Sequence, residues 1–406
     1  MNLDGKIKEA FARHETDVQP SPGAWTGVEK AIGRRHKARI ALTLAGAVMA
    51  VTAAVVAIPR LDSNPKPFDS SPTATLRVKP AQPRLIGKVP ARVSELAVGS
   101  NSLWGLEGAP IFASATPPRA ATLVRIDPSV RKVMARISVG YVPQAVAADS
   151  NSVWVTNTEG CPGLSCAAPL PSSRFPYENS AIRIDPRTNK VVASISIHDP
   201  QDVAIGFGSV WVTAGSGGTK LLRIDPRTNR VIATIALGDA GVFSHVAIGR
   251  RSVFATVSPS SSGEDAPVDV AQVDPATNKS VIVKRVNSPY QVADIAAGWD
   301  SVWLTTDARS TPSALFRFDQ SDNTNGSLVP LPDAAPLGLN AVTTGEGYVW
   351  AVSARGYLWK VDPATGKHDD PTTIGAHPPS PAWDVVTGFG FAWISSADGH
   401  IWQYAP

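Results

Sequence analysis

From Arg84 to the C-terminus the chain alternates short apolar runs with turn-forming residues at a nearly constant stride. In DVAIGFGSVWVT (Asp202–Thr213) an apolar stretch breaks at a Gly-containing turn and resumes through a small residue into an aromatic ring. The same pattern recurs as ELAVGSNSLWGL, AVAADSNSVWVT, HVAIGRRSVFAT, DIAAGWDSVWLT, AVTTGEGYVWAV and DVVTGFGFAWIS, giving seven copies. Their rings, Trp104, Trp154, Trp211, Phe254, Trp303, Trp350 and Trp393, are spaced by 50, 57, 43, 49, 47 and 43 residues. Apolar runs of this length bounded by Gly, Asp and Asn predict strands, and a period of this size predicts a repeat architecture.

A second element follows six of the seven runs: RIDPSVRKV, RIDPRTNKV, RIDPRTNRV, QVDPATNKS, RFDQSDNTN and KVDPATGKH. Pro fixes φ at the second turn position, Asp accepts hydrogen bonds from the turn's own backbone, and Asn or Gly tolerates positive φ. The box therefore predicts a hairpin between two strands and not a site, since a site recurring in six units would need six ligands. Each repeat reads as four strands, of VAIG, SVWVT, LLRID and VIATI type. The seventh unit stops after GHIWQYAP, one strand short, and RLIGKVP (Arg84–Pro90) has the pattern of the missing strand. The expectation is an all-β, seven-bladed β-propeller over residues 84–406, closed by that N-terminal strand, with the ring series packing blade against blade.

These motifs resemble the YVTN and virginiamycin B lyase-like class of seven-bladed propellers, whose repeats look like IDPxTNxVVATIxVG followed by VAVGxGSVWVT. The resemblance covers about Arg84 to Tyr404 and implies the fold. Such propellers include surface proteins, binding modules and a lyase. The lyase implies a catalytic histidine and a metal site, but no motif in this chain carries those residues over one by one.

Upstream, IALTLAGAVMAVTAAVVAI (Ile40–Ile58) is nineteen residues without a charge, close to the ~20 that cross a bilayer as a helix. RRHKAR (Arg34–Arg39) precedes it and only Arg60 and Lys66 follow closely, so the positive-inside bias places the N-terminus in the cytoplasm and the propeller outside the cell membrane. The competing reading, a signal peptide cleaved after Val55-Val56-Ala57, requires an unusually long leading region. The expected organisation is a short helical cytoplasmic segment (1–39), one transmembrane helix (40–58), a Pro-rich linker (59–83) and the propeller (84–406). Cys161 and Cys166, the two cysteines of the chain, then lie in an oxidising compartment that favours a local disulfide. Residues 1–39 carry two short amphipathic patterns, suited to anionic lipid or to a cytoplasmic protein partner. They resemble the inner regions of membrane proteins of anti-sigma type, which implies a partner such as a sigma factor.

Of the formal charge of +4, +3 lies in the first 39 residues, with eight Lys/Arg against five Asp/Glu. The remainder is close to neutral, which excludes the electrostatic footprint of a nucleic-acid binder. Function is sought where the repeats differ. At the start of the innermost strand stand Glu95, Ala145, Asp202, His245, Asp294, Ala341 and Asp384, with Gln201, Tyr290 and Trp383 beside them. Four carboxylates and an imidazole around one channel mouth suggest a site for a cationic ligand. Asp202, Asp294 and Asp384 are candidate ligands for Mg²⁺ or Ca²⁺, and His245 is a candidate ligand or base. The alternative is that each acid caps a strand end. The second-to-third strand loops, which surround the same mouth, are the long ones, as expected of a binding surface on a rigid scaffold. The expected role is a membrane-tethered binding module for a small ligand, glycan or protein. A metal-assisted lyase or hydrolase and a transmembrane sensor are the alternatives.

Overall fold

The computed structural model describes residues 82–406 except the loop segments 109–119, 159–176, 216–218, 239–243, 258–266, 287–291, 307–312, 322–325, 333–337 and 376–378. The expected cytoplasmic segment, membrane span and most of the linker lie outside the described residues, as do Cys161, Cys166 and Tyr290. Among the described residues no helix is long and apolar enough to cross a membrane.

Seven four-stranded antiparallel sheets are arranged as blades. Blade 1 spans Val93–Gly140, blade 2 Pro143–Ser196, blade 3 Pro200–Ala236, blade 4 Val246–Val286, blade 5 Ile295–Pro330, blade 6 Leu339–Thr373 and blade 7 Ala382–Ala405. Blade 7 takes its outer strand from the N-terminal end of the domain: β1 (Arg84–Pro90) pairs antiparallel with the last strand, His400–Ala405, in a register that sets Arg84 opposite Ala405 and Val89 opposite Ile401. The propeller expected from the repeats and the closing strand are both present. Closure removes the two free edges that an open array would expose.

Second strands are buried along their whole length, as in Ser209–Ala214, or at all but one end residue, as in Tyr348–Ser353, whereas fourth strands such as Lys190–Ser196 alternate exposed and half-buried positions. Seven apolar clusters follow, each built from two adjacent blades. Trp104 of blade 1 packs with Val146, Val153 and Val155 of blade 2, and Trp393 of blade 7 packs with Leu96 and Leu103 of blade 1. The ring series is thus the inter-blade core. The Trp104, Trp211, Trp350 and Trp393 indole N–H groups donate to the carbonyls of Gly99, Gly206, Gly345 and Gly388, whereas the buried Trp303 N–H has no partner among the described residues.

The RIDPRTN box forms the hairpin between third and fourth strands. Asp225 Oδ1 accepts from Arg227 N at 2.9 Å, Asn229 N donates to the Asp225 carbonyl at 2.8 Å, and Asn229 sits at φ 55°. The Arg that opens the box has a second role. Arg223 donates through Nη1 to the Pro275 carbonyl (2.6 Å) and Asn278 Oδ1 (2.9 Å) in the box of blade 4, and its guanidinium lies 5.0 Å from the Trp211 ring centroid. Arg125 and Arg183 make the same pair of bonds to Pro186 with Asn189 and to Pro226 with Asn229. The box is therefore a turn and also a latch between neighbouring blades.

Candidate functional site at the channel mouth

The ring of variable residues sits in irregular backbone. In blades 1, 3 and 7 the register between the first two strands shifts between Val93 and Leu96, Pro200 and Val203, and Ala382 and Asp384. Glu95 and Asp202 therefore lie on bulges inside the strands, and Asp384 directly follows one, where the sequence pattern placed them just before the apolar start of the strand. His245 and Asp294 do immediately precede their strands. A bulge adds local twist and re-aims a side chain, here toward the channel and the next blade.

The three aspartates act alike. Asp202 accepts from Val203 N through Oδ1 (2.7 Å) and from Val246 N of blade 4 through Oδ2 (2.8 Å). Asp294 accepts from Ile295 N (2.7 Å) and from Val342 N of blade 6 (2.8 Å). Asp384 accepts from Val385 N (2.7 Å) and from Leu96 N of blade 1 (2.7 Å). Each carboxylate caps its own strand with one oxygen and holds the next blade with the other. The strand-cap alternative describes these three acids, with the addition that the cap reaches across blades.

A row of hydroxyls that sequence reasoning overlooked backs this ring. Thr213 Oγ1 accepts from Asp202 N and donates to the Ser244 carbonyl of blade 4, both at 3.0 Å. Ser395 does the same between Asp384 N and the Ser94 carbonyl, and Thr156 between Ala145 N and the Gln201 carbonyl. Thr256 and Thr305 accept from His245 N and Asp294 N. The signal was available: a Thr or Ser stands two residues after the ring in five of seven repeats, replaced by Leu106 and Val352 in the others.

Glu95 differs from the aspartates, because among the described residues no hydrogen bond is formed by its carboxyl group. Burial, then Asp384, then Asp202 and Asp294 push its pKa well above the ordinary glutamate value. Burial likewise raises Asp294 well above its ordinary range and Asp384 to about 6, against the lowering effect of their backbone hydrogen bonds. Asp202 is raised by burial, partly offset by His245, while burial lowers His245 despite the nearby Asp202. Asp202 Oδ2 and His245 Nδ1 are 3.8 Å apart, and these two side chains keep 25% and 30% of their surface accessible. The groups are thus crowded by protein on their flanks yet reached by channel water. Their mutual effects place the carboxylates within one electrostatic neighbourhood.

Of the remaining candidates, Gln201 donates to Asp199 Oδ1 (2.8 Å), Trp383 is half-buried beside Asp384, and Tyr290 lies outside the described residues. Most of the long loops also lie outside them. Among the described residues no three His, Cys, Asp or Glu side chains are gathered so as to hold a metal ion. Each oxygen of Asp202, Asp294 and Asp384 already accepts one backbone amide, which uses two of the roughly four lone-pair sites of each carboxylate.

No protein-family model matches the chain, and no curated protein matches it. Solved structures match its fold. Hydrazine synthase of Kuenenia stuttgartiensis superposes with a TM-score of 0.60 at 11% identity, over 77% of this chain and 95% of that one. Virginiamycin B lyase of Staphylococcus aureus gives 0.58 at 12% identity, over 80% and 97%. The Pan2 WD40 domain of Neurospora crassa gives 0.54 at 12%, over 77% and 89%. At these identities the likeness establishes the seven-bladed propeller, a common scaffold for ligand and protein binding, and includes the lyase-like propeller named from the repeats.

Proposed function

We propose that this protein is a membrane-tethered, extracytoplasmic binding module whose channel mouth receives a positively charged group, an ammonium or guanidinium, of its ligand. The observation that carries the reading is Glu95. Three acids of the ring have each oxygen accepting a backbone amide, whereas the Glu95 carboxyl forms no hydrogen bond among the described residues and is pushed toward its neutral form by burial and by three negative neighbours. A bound cation would reverse that imbalance, because it favours the ionised form of Glu95 and of Asp384 together. The membrane tether rests on the apolar span Ile40–Ile58 and its basic flank.

Binding to the ionised site releases protons, so affinity rises with pH through the range where Glu95 and Asp384 titrate. Calorimetric titration of the full-length chain in detergent micelles with tetralysine tests this. Saturable binding that strengthens from pH 5 to pH 8 and weakens about tenfold, ~1.4 kcal/mol, in Glu95→Gln is the expected result. Equal binding by wild type and Glu95→Gln, or none at pH 8, rejects the site.

A second reading, a lyase or hydrolase with His245 as base, draws on an imidazole that lies 3.8 Å from Asp202 and whose pKa burial lowers against the raising effect of that carboxylate. If turnover of any substrate is found, unchanged turnover in His245→Ala removes that assignment.

A further inference from the structure

In each blade the turn joining first and second strands and the box joining third and fourth lie on the face opposite the mouth. The chain also enters the ring there, since Arg84, the first residue of β1, pairs with Ala405 at the end of the last strand. Three turns on this face share an unusual feature. Phe207 of blade 3, Trp299 of blade 5 and Phe389 of blade 7 have φ values of 53°, 47° and 61°. Positive φ suits Gly, Asn and Asp, and a bulky aromatic there is disfavoured. The same turn position is held at φ 50° by Ser100 in blade 1 and at φ 51° by Glu346 in blade 6, so the turn itself demands positive φ and the aromatic side chain is what sets the three apart. Burial of the rings would explain the choice, but they are 38%, 43% and 40% exposed, and they are the aromatic members of the exposed large apolar side chains among the described residues.

The three rings belong to alternate blades and so are distributed around the lower rim of the channel. Trp299 also borders a recess of about 370 Å³ shared with Ile248, Arg250 and Gln320. Outside the aromatic positions, Arg187 and Arg227 project from the boxes with 89% and 90% of their side chains exposed, and Lys190 and Arg230 are exposed beside them. The acids of the same turns are turned inward: Asp185 and Asp225 accept the amides of Arg187 and Arg227. The face therefore offers water a set of aromatic rings on an inner circle and cations outside it, and the exposed carboxylate beside Trp299, Asp300, is paired with Arg250 at 3.0 Å. That combination matches the interfacial zone of a bilayer, where rings sit at headgroup level and Lys/Arg meet phosphates.

We propose that this face lies on the surface of the membrane, with Phe207, Trp299 and Phe389 entering the headgroup layer and the box cations facing anionic lipid. The inference rests on the reading of Ile40–Ile58 as a membrane span, which residues 59–83 connect to β1 on this same face. It leaves the acidic mouth directed away from the bilayer, toward incoming ligand.

The test uses the full-length chain in phosphatidylcholine nanodiscs with and without phosphatidylglycerol, compared with detergent micelles. Amide hydrogen exchange is followed in the turns 206–209, 298–301 and 388–391, with quenching of Trp299 by brominated lipid, taken as the difference from Trp299→Asn. Exchange in the three turns about tenfold slower in the mixed bilayer than in micelles, with Trp299 quenched, is expected. The triple variant Phe207→Asn, Trp299→Asn, Phe389→Asn, which suits the backbone better, should lose that protection while keeping or raising its Tm. A lowered Tm in the triple variant would assign the rings to folding and overturn the inference. Equal exchange in bilayer and micelle by a chain that resists carbonate extraction would overturn it while leaving the anchor intact. Protection that appears only when a second protein is added would make the face a protein-binding one, and extraction by carbonate would remove the anchor reading on which the inference depends.

Discussion

Replacing Asp384 by Asn tests the electrostatics of the mouth without changing its shape. In the folded protein this carboxyl titrates at about 6, raised from 3.8 chiefly by burial. A group whose pKa is raised on folding contributes stability that is fully present below its unfolded pKa and is lost as pH climbs through the folded value. The interval from 3.8 to about 6 corresponds to ~3 kcal/mol at 1.36 kcal/mol per pKa unit. Asn has one acceptor oxygen where Asp has two, so the variant gives up either the Val385 or the Leu96 amide, 2.7 Å from the carboxylate in each case, at a cost of ~1–3 kcal/mol. The two effects have different pH dependence. Below pH 4 the variant should be less stable than wild type by about the hydrogen bond alone, ~1–3 kcal/mol. Above pH 7 the wild type also carries the ionised, desolvated carboxylate, and the two proteins should converge or change order. Urea midpoints of the full-length chain in mild detergent, measured at half-unit steps from pH 3 to pH 8, give the comparison. Parallel profiles, or a wild type that gains on the variant as pH rises, would refute the claim that burial holds this acid up.

The box latch predicts a ranking: Arg223→Met loses bonds to Ser209, Pro275 and Asn278 and the Trp211 contact, ~2–4 kcal/mol in denaturant melts, whereas Arg317→Met should cost about 1 kcal/mol less, because the next blade offers the Ala364 carbonyl and has Gly366 in place of the Asn acceptor. Thr213→Val strands the Asp202 amide and the Ser244 carbonyl and should lower stability by ~2 kcal/mol in the same assay. Val89→Asp buries a charge in the closing strand, where Val89 is wholly inaccessible, and should release β1, which limited proteolysis near residue 90 followed by mass spectrometry would detect.

His245 contributes in the opposite sense to the acids. Burial lowers its pKa, so its share of stability is present above its unfolded value and is lost as pH falls through the folded one. The mouth is therefore pulled in two directions across the mildly acidic range, and Asp384→Asn separates them because it leaves His245 in place.

Much of the fold was legible because it repeats. Seven apolar runs with a ring in each, six boxes and one displaced strand determine blade number and closure without any knowledge of contacts, since the turn chemistry of Asp, Pro and Asn is local. The ring position was legible for the converse reason, as the place where aligned repeats carry different chemistry. What the acids do there was not legible. The amide that Asp384 holds lies 288 residues away in sequence, and those held by Asp202 and Asp294 lie 44 and 48 away, so no local pattern announces them.

By itself, then, the sequence determined the units: their number, their turns, and the residues each contributes to the channel. The tertiary structure decided the relations between units. Only closing the ring brings Asp384 of the last blade to Leu96 of the first, and only blade-on-blade packing gives three aspartates an amide of the next blade while the Glu95 carboxyl has no hydrogen bond among the described residues. The same closure sets Arg84 on the face that carries Phe207, Trp299 and Phe389. Hydrogen bonds and desolvation depend on distances between blades, and those distances exist only once the ring is shut.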